Sequence, residues 1–111
     1  MTGHCLVLDA PAEVTAALAG TPGLEFVPEA AAGCAAVVRL CPSPPSPFHR
    51  QHLLSAARLD AVARAPVRYN IVILGDASST AALVRYLARA PAVTGQVLAA
   101  SKAPTSSERT A

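Results

Sequence analysis

Val67-Arg68-Tyr69-Asn70-Ile71-Val72-Ile73-Leu74 decides the fold. The run is rich in β-branched and aromatic residues and is closed by Gly75, which reads as a strand. Before it, Phe48 to Ala65 reads as a helix with Leu53, Ala56 and Ala57 on an apolar side and Asp60 and Arg64 on a polar one, ended by Pro66. After it, Asp76, Ser78, Ser79 and Thr80 offer N-caps for a helix ending near Ala90. Leu83, Val84, Leu87 and Ala88 line the apolar face of that helix, and Arg85 and Arg89 its polar face. Pro91 stops it, and Val93 to Ala99 forms a last strand. Helix, strand, helix, strand is the repeat of a parallel sheet covered by helices.

The first half of the chain repeats the pattern. His4-Cys5-Leu6-Val7-Leu8 is a short apolar run typical of a strand buried on both faces. Pro11 and Glu13 suit the first turn of a helix that Gly20-Thr21-Pro22-Gly23 ends. Leu24-Glu25-Phe26-Val27 is a second strand, and Ala35 to Leu40 a third after the linker from Glu29 to Gly33. The expected helices are 11–19, 49–64 and 79–90, and the expected strands 4–8, 24–27, 36–40, 67–74 and 94–99. The expected architecture is α/β: a reduced Rossmann-like parallel sheet of about five strands with helices on both faces, the first strand between the second and third.

The first turn carries a functional implication. Nucleotide-binding folds keep it Gly-rich, so that backbone N–H groups reach a pyrophosphate at the helix N-terminus. Here it reads Asp9-Ala10-Pro11-Ala12. It has no glycine, Pro11 removes a donor, and Asp9 and Glu13 place negative charge where phosphate would sit.

Composition narrows the remaining classes. The chain has 111 residues, 52% of them hydrophobic, with a net charge of +2 and no tryptophan. The Ala-rich core buries little area per residue, so association is a plausible source of stability. The charge is too weak for nucleic acid, and Lys102 is the only lysine. Cys5, Cys34 and Cys41 are odd in number and form no Cys-x-x-Cys, so neither a disulfide framework nor a zinc ribbon is indicated. With no signal segment and no long apolar run, no membrane is implied, and a cytoplasmic location is the default. One domain is expected over 1–101, with 102–111 a disordered tail. The proline-rich stretch from Cys41 to Pro47 reads as a stiff connector rather than a polyproline ligand.

Residues 35 to 100 resemble the C-terminal half of a short-chain dehydrogenase/reductase. Val67-Arg68-Tyr69-Asn70 is similar to the family's valine-arginine-valine-asparagine strand. Thr94-Gly95-Gln96 matches the signature of its last strand, and Leu54-Ser55-Ala56-Ala57-Arg58 resembles the start of its catalytic helix. Carried over residue by residue, the resemblance implies lost chemistry. Leu54 stands at the catalytic tyrosine, Arg58 at the lysine, and Cys41, thirteen residues before Leu54, at the serine. Leucine has no proton to give. Tyr69 and Tyr86 are followed four residues on by Ile73 and Ala90, so neither rebuilds the pair. The chain also has less than half the family's usual length.

The resemblance therefore implies a non-catalytic subunit without cofactor. In the family the last helix and strand pack across a two-fold axis, which points to Leu83, Tyr86, Leu87, Val93, Gln96 and Val97 as an interface with a second copy or with a full-length active reductase. The alternative is a small enzyme or a ligand- or metal-binding protein using Cys41, His49 and His52. Their spacing matches no zinc motif, and surface histidines explain the pair more simply.

Overall fold

The structure is a computed structural model that describes residues 3–27, 34–43 and 46–100. Among the described residues five strands and three helices follow in the order β1 (Gly3–Leu8), α1 (Ala12–Leu18), β2 (Leu24–Val27), β3 (Ala36–Cys41), α2 (Pro47–Arg64), β4 (Arg68–Ile73), α3 (Ala77–Arg89) and β5 (Val97–Ala99). All pairings are parallel, in the order β2-β1-β3-β4-β5. The first strand thus lies between the second and third, as the sequence implied.

Side-chain alternation along the strands builds two cores. Cys5, Val7, Val38 and Val72 face α1 and α3, where Val14, Leu18, Val84 and Leu87 close the layer. Leu6, Val37, Tyr69 and Ile71 face the other way, against Ala57, with Leu53 and Ala61 packed alongside. Helices therefore cover both faces.

Caps set the helix starts. Ser46 accepts from the His49 N–H at 3.3 Å with Pro47 in the first turn, so α2 begins two residues before the expected 49. Asp76 accepts from the Ser79 N–H at 3.1 Å and starts α3 at Ala77. The last strand is the largest departure: residues 94–99 were expected to be extended, but only Val97–Ala99 pair with β4. The preceding residues are spent on a tight connection, Gly95 taking φ 72°. The expected tail, 102–111, lies outside the described residues, as do Pro44 and Pro45 of the proline-rich connector.

Arginines tie the helices to the frame. Arg68 donates to the carbonyls of Leu87, Ala88 and Ala90, at 3.1, 3.2 and 2.6 Å. These are the orphan carbonyls at the end of α3, where a cation also complements the helix dipole. Arg85 and Arg89, read from sequence as a solvated face, reach back to the end of α1. Arg85 donates to the Thr21 hydroxyl at 3.0 Å and to the Ala17 carbonyl, and Arg89 to the Pro22 carbonyl at 2.7 Å. A helical wheel marks such positions polar but cannot show what a long side chain reaches across the fold. Arg68→Ala should lower the unfolding free energy by roughly 1.5–3 kcal/mol, the range for hydrogen bonds to a charged group. Urea unfolding followed by far-UV circular dichroism measures this, and a shift below ~0.5 kcal/mol would assign the clamp no role.

Candidate functional site

In open parallel sheets, ligands bind beyond the carboxyl ends of the strands, where the strand order reverses. Here that point lies between β1 and β3. The chain leaves β1 through Asp9, whose φ of 62° is left-handed, a conformation Asp tolerates better than most residues. The Asp9 carboxylate lies 2.7 Å from the Arg39 guanidinium, and Arg39 Nε donates to the Tyr69 hydroxyl at 3.1 Å. The Tyr69 hydroxyl and the Asp9 carboxylate both favour the charged arginine and raise its pKa. Pro11 sits at the N-cap of α1 without a side-chain cap bond, and the helix runs only seven residues. The crevice mouth thus presents a carboxylate bound to its own arginine, rather than glycine amides.

The other positions aligned with the resemblance are equally poor in acid–base groups. Leu54 is half-buried on α2, Arg58 is exposed, and Cys41 ends β3. Burial pushes the Cys41 thiol above its ordinary pKa, so it is a weaker nucleophile than a free cysteine at neutral pH. Cys41, His49 and His52 are each engaged elsewhere. Cys41 packs beside the Leu6–Tyr69 core, the His49 ring lies 2.8 Å from the Ser46 hydroxyl, and His52 stacks on Phe48. Among the described residues no group of three or more His, Cys, Asp or Glu is placed to hold a metal ion.

The residues that carry the resemblance most strongly make a seam between β4 and β5. Asn70 is 1% exposed. Its amide donates to the Val93 carbonyl and accepts from the Gln96 N–H, both at 3.1 Å. The Thr94 hydroxyl accepts from the Tyr69 N–H at 3.1 Å, and the Gly95 N–H donates to the Tyr69 carbonyl at 2.7 Å. A Cβ on Gly95 would stand 3.4 Å from Ala61 Cβ on α2 and 3.6 Å from Arg58 Cα. The asparagine and Thr-Gly-Gln are therefore matched parts of one joint, which lies against α2.

The six residues marked as an interface separate into groups. Tyr86 and Gln96 are exposed, Leu83, Val93 and Val97 are half-buried, and Leu87 is wholly buried in the α1–α3 core. Leu87 reaches no surface. The most exposed large apolar side chains lie instead on α2: Phe48 at 72%, Leu59 at 73% and Val62 at 78%. They share one helical face opposite Ala57, a pattern present in the sequence spacing but masked there by interleaved polar residues.

A family model, SDR-like, described as short chain dehydrogenase-like protein, matches residues 7–100. No curated protein and no solved structure matches the chain.

Cys5 supplies a test of the core. Burial pushes its pKa to about 12. A thiol whose pKa is raised on folding stabilises the fold below its unfolded pKa and loses that contribution as pH rises through the folded value. Stability should therefore fall from about pH 9 towards 12, by up to about 1.4 kcal/mol per pH unit from this group. Cys5→Ala should flatten that slope in pH-dependent urea unfolding; an unchanged slope would contradict it. Gly95→Ala should cost about 1 kcal/mol or more in urea unfolding, from the left-handed φ.

Proposed function

The chain belongs to the SDR-like family of short-chain dehydrogenase-like proteins, and from that membership we propose that it is a non-catalytic subunit. The observation that carries this reading is the site itself. At the strand switch point Asp9 holds Arg39, and no glycine loop offers donors to a pyrophosphate. Leu54 cannot donate a proton to a carbonyl, which leaves Arg58 without a phenol beside it to activate. What the chain keeps of the family's pattern is structural: Asn70 bonds Val93 and Gln96, and Thr94 and Gly95 bond the backbone of Tyr69.

Within this reading the work of the subunit is assembly in the cytoplasm, with itself or with a full-length active reductase. We place the contact on α3 and β5. Tyr86 is 57% exposed, Val93 and Val97 further along the chain are partly exposed, and among the described residues β5 is a sheet edge. Apolar surface on α2 adds to what a partner could cover.

Two experiments test the proposal. Leu54→Tyr combined with Arg58→Lys should restore no carbonyl reduction with NADH or NADPH, because the cofactor turn is absent as well; turnover by that variant would overturn the missing cofactor site, and turnover by the native chain the non-catalytic reading. Tyr86→Arg with Val97→Asp should reduce the sedimenting mass of the assembly while the helical circular dichroism persists. Retention of the wild-type mass would move the contact elsewhere.

A further inference from the structure

The opposite edge of the sheet carries a second feature. Among the described residues β2 pairs with β1 alone, so its outer side presents unpaired N–H and C=O groups. On the same edge, facing α1, lies a cleft of about 260 Å³ lined by Val7, Thr15, Leu18, Leu24 and Phe26. The sheet's other face here is polar: Glu25 lies 2.7 Å from the His4 ring on the neighbouring strand. The edge thus asks for an extended backbone, apolar on the α1 face and polar on the other.

β2 has that pattern itself: Leu24 and Phe26 pack on the α1-side core, and Glu25 lies on the other face. We propose that the β2 edge is closed by β2 of a second copy, running antiparallel about a two-fold axis through Phe26, to give one continuous sheet. A two-fold pairing closes, whereas a head-to-tail joining of β2 to another edge would propagate. The register follows from charge. An axis through Glu25 would oppose two carboxylates directly, which destabilises a strand pair. An axis through Phe26 sets the two phenyl rings side by side at the clefts and staggers the carboxylates. It also places the two α1 helices on the same side of the sheet, flanking the paired clefts. This contact is separate from the α3–β5 surface and does not depend on whether the chain is catalytic.

Hydrogen exchange on the intact chain, compared across about a hundredfold range of concentration, tests the proposal together with sedimentation equilibrium. The expected result is a concentration-dependent doubling of mass, with added protection at residues 24–27. Phe26→Lys should abolish the added protection at 24–27 and the step in mass that accompanies it, while Tyr86→Arg with Val97→Asp should leave that protection unchanged. Should Phe26→Lys fail to fold, the wild-type protection pattern decides alone. A chain that stays monomeric throughout, or one whose added protection falls only on α2 or on α3 and β5, overturns the proposal.

Discussion

The buried amide of Asn70 is the constraint on which the second half of the molecule depends. A primary amide at 1% exposure must have its donor and acceptor met, or each lost partner costs about 1–3 kcal/mol. Val93 and Gln96 meet them from the same connection. That connection has to bring a carbonyl and an N–H to one side chain within four residues, and it does so through Gly95 at positive φ. The same glycine lies against Arg58 and Ala61 of α2. One polar side chain thus ties the entry to β5 to β4.

A division of labour follows. The polar groups that hold the fold are all satisfied: among the described residues no buried side-chain nitrogen or oxygen lacks a partner. Arg68, Arg85 and Arg89 are used to finish helices and turns, and Arg39 to hold Asp9 and Tyr69. The family's scaffold residues and its reacting residues face different constraints. Removing a member of the Asn70 joint damages packing and hydrogen bonding at once, whereas Leu54 in place of a tyrosine leaves the helix intact. A scaffold kept without the chemistry, as proposed, accords with that difference.

Strand order and layer assignment were legible because they rest on strong local signals. The β-branched run at 67–74, Pro66, Pro91 and the glycines at 20, 23 and 75 mark elements and breaks without tertiary information. Less legible was whatever depends on reach. Arg85 looks solvent-facing on a wheel, yet its guanidinium spans to Ala17 and Thr21. Residues 94–96 have strand character and Gly95 and Gln96 still bond β4, but Gly95 at positive φ and the bonds to Asn70 keep them from regular strand. Leu87 was read as interface because its helix is apolar, and the packing of α1 against α3 encloses it. Phe48, Leu59 and Val62 were passed over because polar residues interrupt them. At the site, the missing glycine and the Leu54 and Arg58 replacements were visible in the sequence; the Asp9–Arg39–Tyr69 network, joining residues 30 apart and more, was not.

The central claim is that the switch point no longer receives a dinucleotide. Calorimetric titration of the intact chain with NADH and with NADPH tests it most directly, since binding heat does not require turnover. The account predicts no saturable heat for either cofactor through the micromolar range. A micromolar dissociation constant for either, abolished by a bulky replacement at Ala10 in the turn after β1, would contradict it.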